Sequence, residues 1–129
     1  PTIALKFWQL KIGWFIDVVL NLCTGSNRKI TKNSIHSMMI EFEEEIVGMG
    51  RIIGDGGCFC QIVDICILPK HQGLGLGKVI MKNLTDYIND NLPESCYVSL
   101  IADGNASFLY EKFGFKETMP ESKGMYFKK

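Results

Sequence analysis

The chain has 129 residues, 47% of them apolar and 22% charged, with 14 Lys and Arg against 14 Asp and Glu. That length suits one domain with a real core, and the charge balance excludes both a global basic field for nucleic acid and an acidic tail. The five cysteines include no C-x-x-C pair, and neither His36 nor His71 is near a cysteine cluster, so no metal site is expected, and small apolar thiols in a reducing compartment are.

In chain order, "IALKFWQL" reads as a strand and "WFIDVVLNLC" as a helix ending near Gly25. Lys6, Gln9, Lys11 and Asp17 interrupt this apolar stretch, which therefore falls short of the roughly 20 uninterrupted residues of a bilayer span. No secretory signal is visible, so a cytoplasmic protein without a membrane partner is expected. "TGSNRKITKNS" is loop-like. "SMMIEFE" and "EIVGMGRII" read as two strands joined at an acidic turn around Glu43 to Glu45, where a charge run is a solvated turn before it is a substrate lure. "DGG" at 55–57 signals another turn, and "CFCQIVDICIL" a long central strand with a bulge or splay inside it.

Downstream, Leu76, Ile80, Leu84 and Ile88 recur at helical spacing, and Pro93 should stop that helix near Leu92. "YVSLIA", 97–102, reads as a strand and "ASFLYEKF", 106–113, as a short helix ended by Gly114, while "FKET" and "GMYFKK" are expected to finish the sheet. This order predicts an α/β (α+β) domain over 1–129, with a central mixed, mostly antiparallel sheet flanked by helices.

Between the long strand and the long helix stands "QGLGLGK", residues 72–78. Helix N-terminal N–H groups lack internal partners, the helix dipole adds positive charge, and glycines let an anion approach the backbone. The segment reads as a pyrophosphate cradle to which Lys78 adds charge; the same residues also suit a plain strand-to-helix turn. Spacing excludes a Walker A loop, whose required positions hold Gln72 and Val79, and the G-x-G-x-x-G fingerprint, whose last position holds Lys78 or Ile80.

"QGLGLG" fits the Q/R-x-x-G-x-G/A signature of the GNAT N-acetyltransferase superfamily, and "FLYEKFGF", 108–115, resembles that family's second, Tyr-bearing signature. "VGMGRIIGDGG" and the closing "GMYFKK" resemble a bacterial subgroup of small GNAT enzymes, and the similarity covers about residues 37–129. The resemblance implies a sheet splayed at its central strand and transfer of an acetyl group from acetyl-coenzyme A to a primary amine. By position, Gln72, Gly73, Leu74, Gly75, Leu76, Gly77 and Lys78 would hold the pyrophosphate. Ile65, Cys66 and Ile67 would pair their backbone with the pantetheine amides. Tyr110 would be the general acid to the departing thiolate. The family's frequent cofactor-contacting Asn falls on Asp103; Asn105, two residues on, is either its substitute or the N-cap of the last helix.

Asp64 is the best candidate for the base that deprotonates the amine, with a merely satisfied strand carboxylate as the alternative. His71 is expected on the surface. Trp8, Trp14 and Phe15 suit either an acceptor wall or the core. Residues 1–36 match the family least and would form a variable acceptor-side segment, with room for homodimer packing. The expected activity is acetylation of a small-molecule amine by direct attack, with no nucleic-acid partner. Peptide acetylation and a non-catalytic acyl-coenzyme A-binding module stay open.

Overall fold

The computed structural model describes residues 32–129; the first expected strand and helix, with Trp8, Trp14, Phe15 and Cys23, lie outside the described residues. Three strands follow one another as antiparallel neighbours: β1 (His36–Phe42), β2 (Glu45–Gly54) and β3 (Phe59–Ile67). The β1–β2 turn is two residues long, because Phe42 pairs with Glu45. Its central residues, Glu43 and Glu44, have φ of 48° and 63°. Two left-handed central residues make a type I′ hairpin, whose twist matches that of the strands it joins. At the β2–β3 turn the Asp55 carboxylate accepts the N–H groups of Gly57, Cys58 and Phe59 at 2.8, 2.9 and 3.0 Å. Those bonds, Gly57 foremost, hold its carboxyl below the usual range.

Helix α1 (Leu76–Asn91) then crosses the sheet and buries Gly77, Ile80, Met81 and Leu84; Ile80 and Leu84 belong to the stripe that helical spacing predicts, whose ends Leu76 and Ile88 are half-buried. It stops one residue before Leu92, where Pro93 forbids continuation, and Lys82 and Asp86 pair at 2.6 Å on its exposed face. Its close seat on the sheet depends on Gly50. A Cβ there would lie 2.6 Å from Ile80 Cγ2 and 3.1 Å from Leu84 Cδ1. After α1 comes β4 (Tyr97–Ser99), parallel to β3, and then the short helix α2 (Ser107–Glu111). The strand order is β1-β2-β3-β4, a mixed and mostly antiparallel sheet with flanking helices, as the element pattern predicts. Among the described residues no helix is long and apolar enough to cross a membrane.

Two features of β3 position the site. The first is a bulge. Arg51 faces Val63 and Met49 faces Cys66, so Gly50 alone spans the two residues Asp64 and Ile65. Asp64 takes φ of 55°, a left-handed conformation that Asp tolerates better than most side chains do. The second is a splay. The ladder between β3 and β4 has three rungs, the last joining Gln61 to Ser99, while β3 runs on to Ile67. From Ile62 onward β4 has parted from it.

The end of the sheet departs from the expectation. The strand read as 97–102 is three residues long, and "FKET" and "GMYFKK" form no strand. Val98, Ser99 and Leu100 line a cavity of about 570 Å³ together with Phe115, Lys116, Glu117 and Thr118, and among the described residues the returning chain adds no strand beside β4. Met125, Tyr126 and Phe127 are exposed. Alternation in a sequence marks a face, but a ladder also needs a partner edge within hydrogen-bond reach.

The hairpin offers a direct test of backbone strain. Glu at both left-handed positions costs about 1 kcal/mol each relative to the residues a type I′ turn prefers, and places two like charges side by side. Glu43→Asn combined with Glu44→Gly should therefore raise unfolding stability by about 1–2 kcal/mol in urea titrations, with an unchanged m-value.

Candidate active site

The turn after β3 is built from backbone hydrogen bonds and one side chain. His71 N–H donates to Leu68 O at 2.9 Å and Gln72 N–H to Pro69 O at 3.3 Å, forming a single 3₁₀ turn over Pro69–His71. The Gln72 side chain donates from Nε2 to Ile67 O at 3.0 Å, tying the glycine segment back to the last residue of β3. Gly73 and Gly75 both have φ of 81°, and a Cβ on either would meet no protein atom within 4 Å. The glycines are thus required by backbone conformation, and the space above them is open. Gly75 is the N-cap of α1 and supplies no side-chain oxygen to its first-turn N–H groups, and that turn holds no acidic residue. Lys78 is exposed beside it. An uncapped 16-residue helix with a lysine in its first turn presents directed donors and positive charge to an anion.

Ile65, Cys66 and Ile67 form the strand segment that leads into this turn, beyond the point where β4 departs. The bulge sets which way they face. Ile62 lies opposite Ile52, and Ile67 opposite Gly48, although 62 and 67 differ in parity. The extra residue brings Ile65, 3.5 Å from a Cβ at Gly50, onto the face that α1 covers.

Asp64 sits at the bulge with its side chain 15% exposed. Its Oδ2 accepts from Arg51 Nε at 2.5 Å, and Arg51 Nη1 donates onward to Ser34 Oγ at 3.1 Å. Oδ1 of Asp64 makes no hydrogen bond among the described residues. Arg51 is the residue that the sequence reading missed. Its signal is a lone cation in "GMGRII" on the strand antiparallel to the one carrying a lone Asp.

Tyr110, in α2, is 5% exposed and packs in the same cluster as Cys66 and Ile67. It also borders a cavity of about 420 Å³ lined by Leu100, Ile101, Gly104 and Ser107. Burial, and secondarily the nearby Asp103 carboxylate, push its phenol up to about 12. Asn105 does not cap α2: the N-cap is Ala106, and Asn105 is exposed within the 3₁₀ turn Gly104–Ala106. Ala106 N–H closes that turn onto Asp103 O at 3.0 Å, which moves the helix start past Asn105. The imidazole of His71 is half-buried against Phe42, with ring centroids 5.4 Å apart, rather than on the surface. Among the described residues no three His, Cys, Asp or Glu side chains group as metal ligands.

Residues 15–127 match the family model described as an acetyltransferase (GNAT) domain. A crystal structure from methicillin-resistant Staphylococcus aureus, described as a protein of unknown function and probable acetyltransferase, is 41% identical. The similarity covers 86% of this chain and 89% of that one, with a TM-score of 0.74. An uncharacterized N-acetyltransferase of Porphyra purpurea is 36% identical over 81 residues, 63% of this chain and 45% of that protein. The chain spans about half the length of the curated relatives it matches. A protein from Clostridium acetobutylicum described as a predicted acetyltransferase, crystallised with acetyl-CoA, shares the fold at 16% identity and a TM-score of 0.57. That likeness covers 89% of this chain and 75% of that one.

The Tyr110 phenol makes a signed prediction for alkaline stability. Its pKa is raised from 10.0 to about 12 on folding, so the folded state holds this proton more tightly. The stabilisation is complete below pH 10 and is lost as the pH rises through 12, by about 2–3 kcal/mol at most. Relative to its own value at pH 9, Tyr110→Phe should lose less stability by pH 12 than the wild type does. Parallel pH curves for the two proteins in urea titrations would show that the phenol does not titrate this way.

Proposed function

The chain belongs to the GNAT acetyltransferase family, and on that premise we propose that it moves an acetyl group from acetyl-coenzyme A to a primary amine of a small molecule. The observation that carries this reading is the pair of left-handed glycines at the uncapped start of α1, tied by Gln72 to the end of β3 just beyond the splay. Backbone N–H groups from Gly73 to Gly77, with Lys78 alongside, suit the pyrophosphate of coenzyme A. The β3 backbone from Ile65 to Ile67 suits the amide-bearing pantetheine arm, which would enter where β4 has parted, as an added strand does. Asn105, exposed on the turn before α2 and outside the cluster that holds Tyr110, is assigned to the same molecule.

The amine nitrogen attacks the thioester carbon, the C–S bond breaks, and the amine proton must leave. Asp64 is the carboxylate for that proton, through Oδ1, since Oδ2 is held by Arg51. Tyr110 is the side chain assigned to the departing sulfur. A phenol held at about 12 stays protonated throughout the neutral range. Full transfer of its proton to a thiolate is uphill by roughly three pK units, so its part is a hydrogen bond to sulfur as the bond breaks.

The decisive experiment is amine-dependent release of thiol from acetyl-coenzyme A across a panel of small amines, run beside calorimetry with coenzyme A. Release should be seen with at least one amine. Gly75→Asp should weaken coenzyme A at least roughly tenfold, about 1.4 kcal/mol, with little loss of stability because Asp tolerates the left-handed N-cap. Unchanged affinity in that variant would remove the glycine turn as the binding site. Binding without release for any amine would leave a binding module in place of an enzyme.

The two proton-handling side chains should separate cleanly. Asp64→Asn keeps a side chain suited to the bulge conformation, so coenzyme A affinity should hold within about threefold while kcat falls roughly 10²–10⁴-fold. Tyr110→Phe keeps the ring and its packing and should lower kcat only about tenfold, since the leaving group is already a fair one. An Asp64→Asn enzyme with wild-type kcat would assign the amine proton to solvent.

A further inference from the structure

The sulfurs of Cys60 and Cys96 are in contact, Sγ to Sγ at 3.4 Å, and neither residue takes part in the reaction above. Both positions are fixed by the fold. Cys60 is 2% exposed on β3 within the core cluster. Cys96 ends the turn after α1, with its N–H on Pro93 O at 2.9 Å, and is half-buried. The next residue opens the parallel ladder: Tyr97 N–H donates to Cys58 O at 2.8 Å, and Cys60 pairs with Val98 one rung on. The two thiols therefore meet at the closed end of the splay, at the opposite end of β3 from the glycine turn. All four described cysteines are free thiols in this structure.

We propose that Cys60 and Cys96 are a dithiol modification site that low-molecular-weight disulfides close into a β3–β4 cross-link. Closure needs the sulfurs to approach by about 1.3 Å, which small side-chain rotations supply. The half-exposed Cys96 thiolate attacks the reagent disulfide, forming a mixed disulfide and releasing one reagent thiolate. Cys60 then attacks the Cys96 sulfur and releases the second. Two protein thiols are oxidised and one reagent disulfide is reduced to two thiols, so electrons and protons balance. Burial first, then the hydrogen bond that Cys96 donates to Cys60, then the charges of Cys60, Asp55 and Cys58, push the Cys96 thiol up to about 11. Closure is accordingly slow at neutral pH and quickens as the pH rises.

The cross-link joins residues 36 apart in sequence and adds a covalent tie where the parallel ladder has only three rungs. It should stabilise the fold without reaching the glycine turn. The test is incubation of the native protein with oxidised glutathione at pH 8.5, then alkylation, digestion without reduction and mass spectrometry. A Cys60–Cys96-linked peptide is expected, with two fewer titratable thiols and a Tm about 5–10 °C higher that dithiothreitol reverses. Cys96→Ser should show neither the peptide nor the rise. Recovery of Cys60 and Cys96 as alkylated thiols, with glutathione on other cysteines alone, would overturn the proposal. So would a linked peptide that forms only after denaturation.

Discussion

One extra residue in β3 organises this protein. Without the bulge at Asp64–Ile65, strand alternation would put Ile65 and Ile67 on the face away from α1, and the apolar surface of that helix would meet backbone and polar edge. With it, Cys60 and Ile62 before the bulge and Ile65 and Ile67 after it all face the helix. The same irregularity leaves Asp64 left-handed, where Arg51 holds it. Packing and chemistry are thus coupled at one backbone feature. The half-buried ion pair need not stabilise the fold on net, but removing Arg51 would leave the Asp64 carboxylate uncompensated beside the core.

The glycine turn works by a different economy. Most helices begin with a side chain that satisfies the first N–H groups, and α1 begins with a glycine that has no side chain to offer, its carbonyl alone meeting the N–H groups of Lys78 and Val79. The foregone cap is worth about 1 kcal/mol, and the helix bears that cost because Ile80, Met81 and Leu84 are completely buried against the sheet. Donors are left facing open space at the one point where strand, turn and helix are all pinned, by Gln72 on one side and Gly50 on the other.

Much of this is legible in the sequence because it is local. Helical spacing in α1, the Pro93 stop, the glycine spacing and the Tyr-bearing motif each depend on residues close in the chain, and all four are where the pattern places them. The splay was also foreseeable, since eleven apolar-rich residues from Cys58 to Leu68 are too long for simple alternation. What the sequence hides is pairwise and long-range. Arg51 meets Asp64 and Cys60 meets Cys96 only through strand register, and the length of the central strand signals a bulge or splay without saying at which residue the bulge falls. The unformed C-terminal strands fail for the same reason: their alternation is visible, but the distance to β4's edge is not. The cap of α2 shifted by one residue because Asn105 was taken up by the preceding 3₁₀ turn.

The three-rung ladder between β3 and β4 also divides the molecule in time. β1, β2 and β3 are successive strands joined by short turns, so their pairing closes small loops and is entropically cheap to begin. β4 joins only after α1 has been laid across them, and it contributes three residues to the sheet. Low contact order thus favours pairing of the meander over pairing of β4, whose ladder closes a much longer loop for three rungs. Amide protons of β2 should outlast those of β4 in hydrogen exchange. Three rungs hold the β4 end of the sheet, while the glycine turn is tied by Gln72 to a strand paired along its length with β2.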